Sequence, residues 1–186
     1  MRRVRTGNLI LFVVDASGSM GARKRMVAVK GAILSLLLDA YQKRDRVGLI
    51  TFRGQNAQML VSPTNSVELA ERQLRQLPTG GRTPLLSALQ LADRVVTIQL
   101  NRDAALTPLL VLITDGRANS SPPGQIQTAA VQLAQKQLAA LVLDSEQGFV
   151  RMGLARQLAQ WLGARYLLLD ELHSETIVRQ VRSTLG

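Results

Sequence analysis

Apolar residues along the chain follow two alternating patterns, namely short continuous runs and segments in which they recur every three to four positions. The first run, residues 9–14, is rich in β-branched types and predicts a strand buried on both faces, as at the centre of a parallel sheet. Further runs predict strands at residues 47–52, 57–61, 108–114, 139–143 and 166–169. The recurring segments predict helices at residues 23–43, 65–77, 85–96, 123–138, 154–161 and 177–185.

Strands that alternate with helices in this way predict an α/β fold. We expect a doubly wound, Rossmann-like, mostly parallel six-stranded sheet with helices on both faces and right-handed crossovers. The short strand at 57–61 follows a turn and is expected to be an antiparallel edge strand, ended by residues 62–65. Asn65 and Glu68 are expected to form a capping pair that opens the next helix.

The length of 186 residues suits one domain with a sizeable core, so residues 1–186 are interpreted as a single domain. No apolar run approaches the ~20 residues of a membrane-spanning helix, and the basic start of the chain lacks a signal-peptide cleavage site. The chain has no cysteine, which fits a reducing compartment. We therefore expect a cytoplasmic protein, or a protein of the plastid stroma if the source is a plant or alga.

The formal net charge of +10 leaves three interpretations open, namely nucleic-acid binding, attraction of an acidic partner or segment, and a solvated basic face. Aromatic residues make up only 3% of the chain, too few for a stacking platform, so we expect no specific binding of nucleic acid. The basic clusters are residues 2–5, 23–25 and 43–46. The second cluster lies just beyond an oxygen-rich segment, which favours the acidic partner.

Oxygen-bearing side chains follow two of the predicted strands and one glycine-rich loop. The first strand ends at Asp15, and Ser17 and Ser19 follow at alternate positions. The strand at 108–114 ends at Asp115, and the loop at residues 80–82 leads to Thr83 just before a proline-started helix. The carboxyl ends of strands in open α/β sheets are where ligands bind. Carboxylates and hydroxyls are hard donors that suit magnesium, calcium or manganese and not zinc or copper.

The sequence offers little for catalysis. Its single histidine, His173, is far in sequence from these oxygen donors and is interpreted as a surface or helix-start residue. The chain has no cysteine and no Gly-x-x-x-x-Gly-Lys-Ser/Thr run, which leaves little for a triad and excludes a P-loop. Phospho-aspartyl enzymes usually carry a second acid where this chain has Ser17. Asp144 and Glu146 are interpreted as solvated loop acids in preference to a second metal site. We predict no catalytic residue and no residue that binds an organic cofactor.

Asp-x-Ser-x-Ser, a loop threonine and a strand-end aspartate together resemble the metal-ion-dependent adhesion site of von Willebrand factor A domains, also called integrin I domains. The match assigns Asp15, Ser17 and Ser19 to the first segment, Thr83 to the second and Asp115 to the third. The resemblance implies the fold of that family and a bound Mg2+, with Mn2+ and Ca2+ as alternatives. It also implies that an acidic residue of a partner completes the coordination of the ion.

Longer segments resemble the C-terminal domain of the D subunit of magnesium chelatase; they are residues 13–20, 44–54, 77–85 and 113–119. The resemblance implies that this chain is a fragment of a longer subunit with an AAA+ module and an acidic linker. It also implies contacts with the AAA+ subunit, with the large porphyrin-binding subunit and with its own acidic linker, through acidic residues. The parent complex of that family uses ATP to insert Mg2+ into protoporphyrin IX in (bacterio)chlorophyll synthesis.

Two other functions stay open. A cobalt chelatase component, serving cobalamin synthesis, is the nearest alternative, because the inserted metal cannot be read from this domain. A stand-alone module that assembles an unrelated intracellular complex would also use such a site. The absence of cysteine and of a signal peptide weighs against extracellular adhesion.

Overall fold

Strands and helices alternate through the residues that the structure, a computed structural model, describes: 7–17, 20–40, 44–75, 80–117, 122–136, 138–145, 153–168 and 173–185. The strands are β1 Asn8–Asp15, β2 Arg46–Arg53, β3 Asn56–Thr64, β4 Thr107–Thr114, β5 Ala139–Asp144 and β6 Arg165–Leu168. The helices are α1 Met20–Ala40, α2 Val67–Gln73, α3 Leu85–Arg102, α4 Pro123–Ala134, α5 Leu154–Leu162 and α6 Ser174–Leu185. The predicted alternation of strands and helices is confirmed.

The strands form one six-stranded sheet in the order β3-β2-β1-β4-β5-β6. All neighbouring strands are parallel except β2 and β3, which pair antiparallel, so β3 is an antiparallel edge strand as predicted. The strand order changes direction between β1 and β4, which lie side by side with Val14 opposite Ile113. This is the topological switch point, where open α/β sheets leave a crevice beyond the strand ends.

Helices cover both faces of the sheet. Side chains of β1 alternate between the two faces, with Ile10 and Phe12 in one apolar cluster and Leu11 and Val13 in the other. The first cluster includes residues of α1, α2 and α6, and the second includes residues of α3, α4 and α5. Because β1 is buried from both sides, its uninterrupted apolar run is explained, and the predicted doubly wound architecture is confirmed.

Some predicted boundaries are wrong. Residues 62–64 do not end the edge strand but belong to β3, where the pairing with β2 shifts register between Val47 and Leu49. Pro63 is tolerated there because an edge strand has one side without ladder partners. Helix α2 is capped by Ser66, whose hydroxyl accepts a hydrogen bond from the Leu69 backbone nitrogen, and not by Asn65. The helix ends at Gln73, earlier than predicted.

Among the described helices, none is long and apolar enough to cross a membrane.

His173 is exposed and directly precedes α6, and its carbonyl accepts a hydrogen bond from the Ile177 backbone nitrogen. Its interpretation as a surface or helix-start residue is therefore confirmed.

Candidate metal centre

The predicted oxygen donors lie at the switch point of the sheet. Asp15 is the last residue of β1, still paired with Phe52 of β2, and Asp115 directly follows β4 on the other side. Because β1 and β4 are parallel neighbours, their carboxyl ends meet at the same edge. Ser19 lies outside the described residues, so its predicted role as a ligand stays a prediction.

Asp15, Ser17 and Thr83 form a hydrogen-bonded cluster of side-chain oxygens. The Ser17 hydroxyl donates to Asp15 Oδ1, and the Ser17 backbone nitrogen donates to the same oxygen over 2.8 Å. Ser17 Oγ and Thr83 Oγ1 share a hydrogen bond of 2.8 Å, although the two residues are 66 positions apart. The three residues are only 2%, 9% and 5% exposed, respectively. The structure therefore brings together three of the five predicted ligands in one buried cluster.

A double-glycine loop delivers Thr83 to this cluster. The Gly80 nitrogen donates to the carbonyl of Ala16 over 2.7 Å, which fastens the loop to the end of β1. Gly81 has φ +90°, and a Cβ there would lie 3.0 Å from the backbone nitrogen of Gly54. A side chain would thus be strained both by the backbone conformation and by the close approach. Pro84 and α3 follow at once, so Thr83 is held between a fixed loop and a helix start.

Asp115 is the more exposed carboxylate of the site, with 27% of its side chain accessible. Its Oδ1 accepts a hydrogen bond of 2.9 Å from the backbone nitrogen of Arg117, and its Oδ2 lies 3.8 Å from Arg117 Nε. Gly116 follows in a left-handed conformation, and its nitrogen donates to Thr114 Oγ1 over 3.0 Å. The loop after β4 is therefore held by its own polar contacts, and the Asp115 carboxylate stays partly accessible at the sheet edge.

Burial raises the pKa of Asp15, and the charge of Asp115 raises it further, whereas hydrogen bonds from Ser17 and the charge of Arg25 lower it. The influence of Asp115 means that the two carboxylates repel each other across the switch point. Within the described part of the chain, Asp15 forms no ion pair with a lysine or arginine. A buried carboxylate without a paired cation is costly, so a cation bound between Asp15 and Asp115 would relieve both burial and repulsion.

The donor set fits a hard divalent cation. Two carboxylates and the hydroxyls of Ser17 and Thr83 are ligands that suit Mg2+, Mn2+ or Ca2+. The described residues contain no group of three or more histidine, cysteine, aspartate or glutamate side chains that could hold a metal. A zinc site of the usual nitrogen and sulfur ligands is thus absent from that part of the chain.

Two features of the surroundings were missed from the sequence. Arg25, assigned to a basic surface cluster, instead turns inward and donates to the carbonyls of Asp15 and Ser17, each over 3.0 Å. Asp144, interpreted as a solvated loop acid, is only 1% exposed and accepts a hydrogen bond of 2.5 Å from Tyr166. That interpretation is wrong because β5 lies inside the sheet, between β4 and β6. Glu146 lies outside the described residues.

Residues 10–117 match the von Willebrand factor type A domain family. The matched segment contains the carboxyl end of β1, the Thr83 loop and β4, and hence the strand ends and the loop that position the predicted ligands. The chain belongs to this family. Solved structures agree in fold: BatB from Bacteroides thetaiotaomicron has a TM-score of 0.71 at 20% identity, covering 96% of this chain and 99% of that chain. The manganese-loaded TRAP protein of Plasmodium vivax has a TM-score of 0.68 at 17% identity, covering 98% and 74%.

Curated relatives of this von Willebrand factor A domain are mostly longer. Uncharacterized protein Rv2850c of Mycobacterium tuberculosis is 50% identical over 98% of this chain and 29% of that protein. The magnesium-chelatase 67 kDa subunit of Chlorobaculum parvum is 40% identical over 97% of this chain and 32% of that subunit. Uncharacterized protein MJ0910 of Methanocaldococcus jannaschii is 37% identical over 86% of this chain and 94% of that protein. The domain thus spans about a third of the first two relatives, and its predicted similarity to magnesium-chelatase subunits is confirmed.

Proposed function

We propose that this von Willebrand factor A domain is a metal-dependent docking domain. Asp15, Ser17, Ser19, Thr83 and Asp115 would hold Mg2+, with Mn2+ and Ca2+ as alternative ions. The observation that carries the proposal is the buried carboxylate of Asp15, which accepts hydrogen bonds from Ser17 and forms no ion pair with a cationic side chain of the described chain, while the Ser17 hydroxyl in turn bonds to Thr83. Such a cluster stabilises a bound cation, whereas without a cation its buried carboxylate contributes little to the stability of the fold.

An acidic residue of a partner is the ligand that suits such an ion. Only Asp15 and Asp115 carry charge among the proposed ligands, and Mg2+ surrenders its waters reluctantly, so a position stays open to water or to an incoming carboxylate. Arg23 and Lys24 lie exposed in the first turns of α1, beside the site, and the chain as a whole carries a net charge of +10. These charges favour an acidic partner and accelerate its encounter with the site.

The relatives indicate which assembly to test. Similarity to magnesium-chelatase subunits over nearly the whole chain supports a role in such a complex, with the AAA+ subunit and the porphyrin-binding subunit as partners. In that role the domain would support ATP-driven insertion of Mg2+ into protoporphyrin IX, and ATP would act only in the parent complex. The inserted Mg2+ is substrate and is distinct from the ion proposed here. No catalytic residue is assigned to this chain.

The experiment is a binding assay of this chain against the AAA+ and porphyrin-binding chelatase subunits, in Mg2+ and in EDTA. Asp15→Ala removes a proposed ligand, and Glu71→Ala, an exposed acid on α2, is the matched control for loss of one negative charge. We expect binding that requires both Mg2+ and Asp15 and that weakens with added salt. Binding that ignores EDTA and Asp15→Ala would refute metal-dependent docking, and absence of binding to either subunit would refute the chelatase assembly.

A further inference from the structure

Arg25 lies apart from its basic neighbours in α1. Arg23 and Lys24 are exposed, whereas Arg25 is partly buried and reaches back to the end of β1. Its Nε donates to the carbonyl oxygen of Asp15 and its Nη2 to the carbonyl oxygen of Ser17, each over 3.0 Å. One guanidinium thus binds the backbone carbonyls on either side of Ala16, which lies between the proposed ligands Asp15 and Ser17. A planar guanidinium, with several donors in a fixed geometry, is suited to serve both carbonyls at once.

The described carbonyls from Asp15 to Ser17, and that of Thr83, accept hydrogen bonds from protein donors. The Ala16 carbonyl, between the two that Arg25 binds, accepts from the Gly80 nitrogen over 2.7 Å. The Thr83 carbonyl accepts from the Leu85 nitrogen over 3.0 Å. The turn from Asp15 to Ser17 therefore offers a cation its side-chain carboxylate and hydroxyl, while each of its three carbonyl groups already has a hydrogen-bond partner.

This distribution of oxygens bears on the choice of ion. Ca2+ takes roughly six to eight oxygen ligands in flexible geometry and commonly recruits backbone carbonyls, whereas Mg2+ keeps several waters and needs few protein ligands. We propose that Arg25 is a positioning residue that orients Asp15 and Ser17 and, by engaging their carbonyls, makes the site prefer Mg2+ over Ca2+. This inference rests on the proposed function, because it requires that the site binds a divalent cation.

The positive charge of Arg25 and its positioning of the ligands should change the metal affinity in opposite directions, so the two effects can be separated. A guanidinium close to the site repels any cation there, so an effect of its field alone predicts tighter metal binding when the charge is removed. Positioning predicts weaker binding, because residues that orient metal ligands typically change affinity by about 10- to 100-fold. The sign of the change therefore distinguishes the two effects.

The test titrates the metal-free 186-residue chain with Mn2+, followed by electron paramagnetic resonance, and adds Mg2+ or Ca2+ as competitors. The variants are Arg25→Gln, Arg25→Lys, and Arg23→Gln as the matched control, because Arg23 is exposed on the same helix and loses the same charge. For Arg25→Gln we expect Mg2+ affinity to fall about tenfold or more and the preference for Mg2+ over Ca2+ to shrink. Arg23→Gln should leave affinity unchanged or raise it.

Folding is checked separately by thermal unfolding of each metal-free variant. Arg25→Lys keeps the charge and the aliphatic stem but lacks the forked donors that span both carbonyls, so it should also weaken the preference for Mg2+. This variant tests the proposal even if Arg25→Gln fails to fold. Unchanged or tighter binding of Mg2+ by both Arg25 variants would overturn the proposal, and an equal loss for Mg2+ and Ca2+ would overturn its selectivity part. If the wild-type chain binds no cation at all, the proposed function itself fails.

Discussion

Replacement of Gly116 by alanine should disrupt the loop that carries Asp115. Gly116 has φ +82°, and a Cβ there would lie 2.3 Å from the Ala155 nitrogen and 2.4 Å from the Leu154 carbonyl carbon. The obstructing atoms are backbone atoms at the start of α5, so no side-chain rotation can make room. The substitution must therefore either displace α5 or move the loop that follows β4.

Two costs contribute to the expected loss of stability. Holding an alanine in the left-handed region costs about 1–2 kcal/mol. Forcing an extra methyl group into a well-packed contact typically costs about 1–3 kcal/mol more. We therefore expect Gly116→Ala to lower the free energy of unfolding by about 2–5 kcal/mol, a large part of the stability of an ordinary domain.

Alanine substitutions at two other glycines separate the backbone cost from the packing cost. Gly163 has φ +62° but no atom within 4 Å of an added Cβ, so Gly163→Ala should lose only the backbone part, about 1–2 kcal/mol. Gly124 lies in α4 with open space around an added Cβ, and Gly124→Ala should gain up to about 1 kcal/mol from helix propensity. Urea unfolding, followed by circular dichroism and by the fluorescence of Trp161 in α5, measures all three.

The comparison between Gly116 and Gly163 decides the outcome. If the two alanine variants lose the same stability within about 0.5 kcal/mol, the close approach of Gly116 to α5 contributes nothing and the reasoning is refuted. A loss for Gly116→Ala that exceeds the loss for Gly163→Ala by more than about 1 kcal/mol supports the packed contact. Fluorescence and circular dichroism should report coincident transitions, as expected for cooperative unfolding.

Three further predictions concern buried carboxylates. Mg2+ at about 100 times its dissociation constant should stabilise the wild-type chain by about 2.7 kcal/mol in urea unfolding, whereas Asp15→Asn should gain nothing from Mg2+. Tyr166→Phe removes the hydroxyl that donates to Asp144 and should cost about 1–3 kcal/mol in the same assay; an unchanged midpoint would contradict this. Asp45→Ala removes the acceptor of two hydrogen bonds from Asn8, 2.8 and 3.1 Å long, and should cost a similar amount in thermal unfolding.

The fold could be predicted because the strongest local signals agree with the global architecture. The apolar run of β1 is buried on both faces, and the helix at Leu85 shows its periodic apolar residues at buried positions. The meeting of the strand ends that carry Asp15 and Asp115 could be expected because the carboxyl ends of parallel strands share one edge of the sheet. These inferences depend on sequence spacing and on general rules of α/β sheets, so they required no knowledge of how individual helices dock.

The remaining features depend on tertiary contacts. The direction of Arg25 is set by where α1 lies over the end of β1, and its neighbours Arg23 and Lys24 carry the same charge but are exposed to solvent. Asp144 is buried because β6 adds to the sheet beyond β5, a pairing that local sequence does not encode. Ser66 caps α2 instead of Asn65 because the turn after β3 places its hydroxyl on the Leu69 nitrogen.

Under the proposed function, the Asp15 cluster would serve metal binding at a cost to the stability of the fold, which gives a last prediction. Burial raises its pKa, so the metal-free fold disfavours the ionised carboxylate that a cation requires. Asparagine at this position would keep an acceptor for the Ser17 nitrogen and remove the charge, so metal-free Asp15→Asn should be at least as stable as the wild type. If Asp15→Asn preserves stability and abolishes the response to Mg2+, Asp15 behaves as a metal ligand that the fold holds at a cost to its own stability. Replacement of a structural carboxylate would instead lower stability both with and without Mg2+.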